Sequence, residues 1–164
     1  MIDAIDRKIL KIIQRDCTIP VAEIGKMVGL STTPCWRRIQ KLEESGIIKG
    51  RVALLDPKKI DAGVTVFVSI STSQHTQEWL SRFHEVIQAF PEVVEFYRMS
   101  GEVDYLLRVV VSDINKYDQF YKKLISQIEL SNVSSTFAME QIKFTTEIPL
   151  GDKDKRDGSE GGGS

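Results

Sequence analysis

The hydrophobic period of this chain changes near Val64, and that change bounds what the chain can fold into. Before it, apolar residues recur every three or four positions, as on the buried stripe of a helix. After it, Val64, Val66, Val68 and Ile70 alternate with Thr65, Phe67 and Ser69, as along a strand. In the front part, Asp3 suits the cap of a helix whose Ile5, Ile9, Ile12 and Ile13 share one side, with Arg7, Lys8, Lys11 and Arg15 elsewhere. Pro20 suits the first turn of a second helix, continued by Val21, Ile24 and Val28 and stopped by Gly29. Ser31 opens a third, in which Cys35, Ile39 and Leu42 form the inner stripe and Ser45-Gly46 the end. Two helices split by Gly29-Leu30, the second opening with small polar residues and then carrying Arg37 and Arg38, predict a helix-turn-helix over residues 1–50. Ile47 to Leu55 reads as a wing or connecting strand that ends at the turn Asp56-Pro57.

Beyond a hinge at 51–63, the order is strand, helix, strand, strand, helix, strand. The elements run from Val64 to a last strand expected over Val133 to Phe144, with Pro91 ending the first helix and Asp113 capping the second. This predicts an α+β chain: the helix-turn-helix, winged if the strand after it is a wing, followed by a ferredoxin-like βαββαβ domain over 64–150. Val, Phe and Tyr occupy both parities of several strands, so the sheet face without helices is expected to bury against a second subunit. The tail at 151–164, GDKDKRDGSEGGGS, has the composition of a disordered or added linker.

Charge divides the chain at the same place as the period. Residues 1–59 hold twelve Lys or Arg against seven acids, the remainder ten against sixteen, within a net charge of −1. A basic front and an acidic back suggest that the front meets a polyanion. No apolar run approaches the roughly eighteen residues of a membrane span, and MIDAIDRKIL lacks the order of a secretion signal, so a cytoplasmic protein without a membrane partner is expected. Catalytic patterns are missing. His75 and His84 stand in no HExxH, and there is no CxxC, GxSxG or phosphate-binding glycine motif, so neither an enzyme nor a cofactor is expected. Cys35 falls on the inner stripe of the third helix; with Cys17 it supplies only two ligands to any metal, and no metal site is expected.

The third helix has the chemistry to read duplex DNA. Ser31, Thr32 and Thr33 lie at the end that approaches the bases, and Arg37 or Gln40 can form bidentate bonds with guanine or adenine. Arg38, Lys41, Lys49 and Arg51 suit phosphates. Trp36 lies off the apolar stripe, either folded over the first helix or in contact with a sugar or thymine methyl.

The run from Ser31 to Lys49, preceded by Ile5-Asp6-Arg7-Lys8-Ile9-Leu10, resembles the DNA-binding domain of Lrp/AsnC transcriptional regulators. The resemblance continues through Ala53 to Pro57, Ser100 to Leu107, Ser134 to Lys143 and Thr145 to Leu150, nearly the whole chain. Within the family, Asp16-Cys-Thr18, Thr32 to Trp36, Val52 to Pro57 and Ser134 to Lys143 are most similar to the cysteine-responsive regulator of cysteine detoxification. The resemblance implies dimers paired through their sheets, assembly of dimers into octamers, and amino acids, here L-cysteine, held between dimers. It also implies an effector site at Met99, Ser100, Gly101, Asp104, Tyr105 and Ser135. Leucine, methionine or another amino acid is the alternative effector. That loop has suitable chemistry: N–H groups around Gly101 can receive a carboxylate, and Asp104 can pair with an ammonium. Where relatives often carry Thr, two residues before Ser135, this chain has Val133.

Overall fold

Asp3 and Asp6 build the start of α1 (Ala4–Arg15) as a reciprocal capping box. Asp6 N–H donates to the Asp3 carboxylate at 2.8 Å, and Asp3 N–H to the Asp6 carboxylate at 3.1 Å. α2 (Val21–Val28) stops at Gly29 in the left-handed region, and α3 (Thr32–Glu44) follows Ser31. The turn between them closes tightly: Leu30 N–H donates to the Gly25 carbonyl at 2.8 Å, and a Cβ on Gly25 would sit 2.7 Å from the Leu30 carbonyl oxygen. Only glycine lets α2 and the turn approach that closely. α3 buries Cys35, Ile39 and Leu42 against Ile9, Leu10 and Ile24 of the other two helices. Each of the large aliphatic side chains in that cluster contributes about 1.5–3 kcal/mol by leaving water.

The computed structural model of the chain describes residues 1–151, and the reading of the tail at 152–164 lies outside them. The described residues form two units, 1–53 with 143–151, and 54–142. The second begins with a short 3-10 helix, Pro57–Ile60, whose start Asp56 caps. It continues as β1 (Val64–Ser71), α4 (Gln77–Gln88), β2 (Val93–Arg98), β3 (Tyr105–Val111), α5 (Ile114–Gln127) and β4 (Asn132–Phe137). The four strands form one antiparallel sheet in the order β2-β3-β1-β4, the ferredoxin-like arrangement expected from the element order. Val66, Val68, Ile70, Leu107 and Val109 turn to the helix side and are fully buried with Phe83, Ile87 and Leu124. Phe67, Leu106, Arg108, Val110 and Tyr97 lie on the opposite face. There Phe67 is 39% exposed, and Glu95 bonds both Arg108 and Tyr97. The Arg108 guanidinium holds the Glu95 carboxyl below its ordinary value, so this ion pair is built into an otherwise apolar face.

Two expected features differ. Ile47 to Leu55 forms no strand, because no strand among the described residues offers it a ladder. The last strand ends at Phe137 rather than Phe144: Ala138 N–H makes a final bond to the Thr65 carbonyl, and β1 begins only at Val64. The chain from 143 to 150, expected with the sheet, instead straps α1. The Gln14 side-chain amide pairs with both backbone groups of Ile148, donating at 3.2 Å and accepting at 2.6 Å, as a neighbouring strand would. Arg7 donates to the Leu150 carbonyl at 2.7 Å, Thr146 to the Gln14 carbonyl at 2.8 Å, and Arg15 pairs with Glu147. Leu150 joins the helical core.

Truncation after Thr145 is therefore expected to destabilise the first unit by about 2–4 kcal/mol, the sum of a few lost hydrogen bonds and one apolar anchor. Hydrogen exchange should quicken in α1 and leave the amides of β1 and β3 unchanged; unchanged α1 protection would show that the strap contributes nothing.

Candidate nucleic-acid interface and effector pocket

The buried stripe of α3 determines which of its side chains face outward. Ser31, Thr32, Thr33, Arg37 and Lys41 are exposed, and Trp36 is half exposed at 50%. Arg37, Lys41 and Lys49 form no ion pair or hydrogen bond through their side chains with a described residue, so three cations remain available to an anion. Gln40 and Arg51 are partly engaged: Gln40 donates to Glu43 at 3.3 Å and Arg51 pairs with the same carboxylate at 2.7 Å.

Arg38, expected at a phosphate, has another role. One nitrogen of its guanidinium lies 2.5 Å from an Asp3 oxygen and 3.0 Å from an Asp6 oxygen, so it ties α3 to the capping box of α1. The same cluster borders a groove of about 580 Å³ lined by Ile2, Asp3, Pro34, Arg37, Arg38 and Lys41 among others. The neighbouring arginines thus divide the work: Arg38 faces its own protein, Arg37 faces outward. The hydrogen bonds that Arg38 donates to these two carboxylates raise its value further.

In the second unit, the loop between β2 and β3 meets the segment after β1 at one end of the sheet. A pocket of about 400 Å³ opens there, lined by Thr72, His75, Leu80, Arg98, Met99, Gly101, Asp104 and Tyr105. Gly101 has φ 118, a backbone conformation that side chains resist, and a Cβ there would meet nothing within 4 Å; conformation, not space, calls for glycine. Met99 N–H donates to the Asp104 carbonyl and Asp104 N–H to that of Ile70, which closes the loop onto the sheet. Thr72 N–H donates to one Asp104 carboxylate oxygen at 2.8 Å, which orients the carboxylate at the pocket wall. Tyr105 is buried between Phe83 and Phe96, with ring centroids 4.7 and 5.6 Å away.

Of the six expected effector residues, Met99, Gly101, Asp104 and Tyr105 line this pocket. Ser100 is exposed in the same loop and does not line it. Ser135 is not brought there: it pairs with Val68 on the helix side of the sheet, and its hydroxyl shares a hydrogen bond with Tyr117 of α5. The sequence reading missed Thr72, His75, Leu80 and Arg98. Arg98 could have been found, since it ends the strand that feeds the loop.

Comparison with known proteins agrees with both halves. A model of the AsnC-type helix-turn-helix domain matches residues 2–43, and one of the Lrp/AsnC ligand binding domain matches 65–148. The chain belongs to the Lrp/AsnC family. It is 52% identical over 151 residues to the DNA-binding transcriptional activator DecR of Escherichia coli, covering 92% of this chain and 99% of that protein. An AsnC family transcriptional regulator from Agrobacterium tumefaciens has the same fold, with a TM-score of 0.88 and 68% identity over 91% of this chain and 97% of that one. The complex of the regulator NMB0573 with L-Met from Neisseria meningitidis matches at a TM-score of 0.86 and 32% identity, covering 92% and 97%. This Lrp/AsnC chain is therefore a transcriptional regulator with an AsnC-type helix-turn-helix and a Lrp/AsnC ligand binding domain. Among its described residues, no helix is long and apolar enough to cross a membrane.

The capping box at Asp3, with Arg38 bound to it, predicts a modest acid sensitivity of the helix-turn-helix unit. Bonds from Asp6 N–H, first, and from Arg38 hold the Asp3 carboxyl below its ordinary 3.8. A depressed carboxyl adds stability that is complete above the unfolded value and is lost as pH falls through the folded one. Thermal melts should therefore show the first unit weakening below about pH 4, and Asp3→Asn should weaken it at neutral pH while flattening that acid limb. An Asp3→Asn protein with the wild-type acid limb would place the titration elsewhere.

Proposed function

We propose that this regulator reads a duplex with the outward face of α3 and adjusts its DNA occupancy to an amino acid held at the β2–β3 loop. The observation that carries the reading is the contrast within α3: an inner stripe sealed into the core, and Thr33, Arg37 and Lys41 outward with no side-chain partner among the described residues. A helix so presented fits the major groove, where Arg37 is placed for a base edge and Lys41 and Lys49 for phosphates. Gln40 and Arg51 join them by leaving Glu43, Gln40 for a base edge and Arg51 for a phosphate.

The effector is L-cysteine, and the genes controlled are those of cysteine metabolism or detoxification. Support for this comes from the sequence similarity to the cysteine-responsive branch and from a pocket that offers loop N–H groups to a carboxylate and Asp104 to an ammonium. Two copies pair through the sheet face on which Phe67 and Tyr97 are exposed and Leu106 and Val110 half-buried, a surface that a second copy would cover. Pairs assemble further, with an octamer as the expected ring. The effector acts by linkage: it shifts the assembly only as far as it binds one arrangement better than another, and the paired α3 helices then match different half-site spacings.

Fluorescence anisotropy with promoter and random duplexes tests the DNA half. Arg37→Ala should cost about 1–3 kcal/mol on the preferred duplex and relax preference, while Arg38→Ala should chiefly lower the melting temperature of the first unit. Equal binding to promoter and random DNA at every salt concentration would contradict the reading. For the effector, saturating L-cysteine should change DNA affinity or sedimentation; if neither moves, cysteine is not the signal.

A further inference from the structure

An amino acid offers one carboxylate and one ammonium, and the loop and Asp104 between them satisfy both. The pocket holds a charge that this pairing leaves unused. Arg98 lines it, and its guanidinium has no hydrogen bond or ion pair with any described residue. The contrast with the rest of the strand pair is sharp, since Arg108 on β3 is neutralised by Glu95. Register explains where Arg98 points. It sits opposite Tyr105, and Tyr105 is buried on the helix side of the sheet, so both side chains share that face, toward Leu80 of α4. His75, from the segment between β1 and α4, adds a second polar group to the same wall.

The only acid among the lining residues is Asp104, and one of its oxygens is already held by Thr72 N–H. Once a zwitterion has matched its ammonium to Asp104 and its carboxylate to the loop, the guanidinium of Arg98 remains without a counter-charge. A neutral apolar side chain would desolvate that cation and return nothing; an anionic one would pair with it. The apolar parts of the wall, Leu80 and Met99, leave room for a short aliphatic stem leading to the charged end.

We infer that Arg98 reads the effector's side chain, so that this pocket takes an amino acid ending in an anion, a carboxylate or a thiolate, ahead of one with a neutral side chain. The inference rests on the amino-acid reading of the pocket given above and narrows it. Its chemistry admits L-cysteine as the thiolate and L-glutamate or L-aspartate as the carboxylate. Arg98 is a specificity residue here; the loop and Asp104 hold what all amino acids share.

Isothermal titration of the full chain with matched pairs separates these possibilities. L-glutamate against L-glutamine reads the carboxylate, and L-cysteine against S-methyl-L-cysteine, which cannot ionise at sulfur, reads the thiolate. In at least one pair the anionic member should bind more tightly by about two- to fivefold, the scale of one solvent-accessible ion pair. The pair that shows it identifies the source. Arg98→Leu should erase that difference while keeping the affinity for the neutral member, and Arg98→Lys should restore part of it. Equal binding within both pairs, or a uniform loss for every amino acid in Arg98→Leu, would overturn the inference while leaving an amino-acid-responsive regulator intact. If no amino acid binds while DNA binding is normal, the effector reading of the pocket falls too, and this inference with it. Melting curves of Arg98→Leu that match wild type would establish that lost preference is not lost folding.

Discussion

The structure depends on the burial of one stripe, Cys35, Ile39 and Leu42, against Ile9, Leu10 and Ile24. A helix has one rotation about its axis for a given buried stripe, so sealing these three side chains also decides which residues point outward. Burial pushes the Cys35 thiol above its ordinary value, which keeps it a neutral core group. The close approach at Gly25 and the ion pairs from Arg38 to Asp3 and Asp6 hold the same rotation from two other sides. Thr33, Arg37 and Lys41 are available to a polyanion because their neighbours are committed to the protein.

The second unit applies the same division of labour to a loop. Backbone bonds from Met99 and Asp104 close it, and Thr72 N–H fixes the Asp104 carboxylate, so the groups that face the pocket are set before any ligand arrives. Such preorganisation lowers the ordering cost of binding. The helix layer supplies the remaining wall through Leu80.

Much of this was legible in the sequence where the signal is local. Asp3 and Asp113 announce their helices, since a capping carboxylate needs only the next few N–H groups. Gly29 and Gly101 mark left-handed positions. The change of period at Val64 separates the two folds. What escaped needs distant partners. Arg37 and Arg38 are adjacent in sequence, and only the position of α1 tells that one is bound and the other free. The strap at 143–150 has the alternation of a strand but lies beyond the length of β1, so it pairs with Gln14 instead. Ser135 shares the parity of Val133 and Phe137, which the sheet turns toward α5, whereas Arg98 reaches the pocket through a register with Tyr105 that no local pattern encodes.

The central claim is that the outward face of α3 lies against base edges in the major groove. Photo-crosslinking to duplexes carrying 5-iodouracil tests it directly, because the iodine stands where the thymine methyl projects into that groove. The crosslinked peptide should come from residues 31–44, with Trp36 or Thr33 as the attachment point. Crosslinks confined to the sheet unit, or protein that binds the duplex tightly yet gives none in α3, would contradict the account.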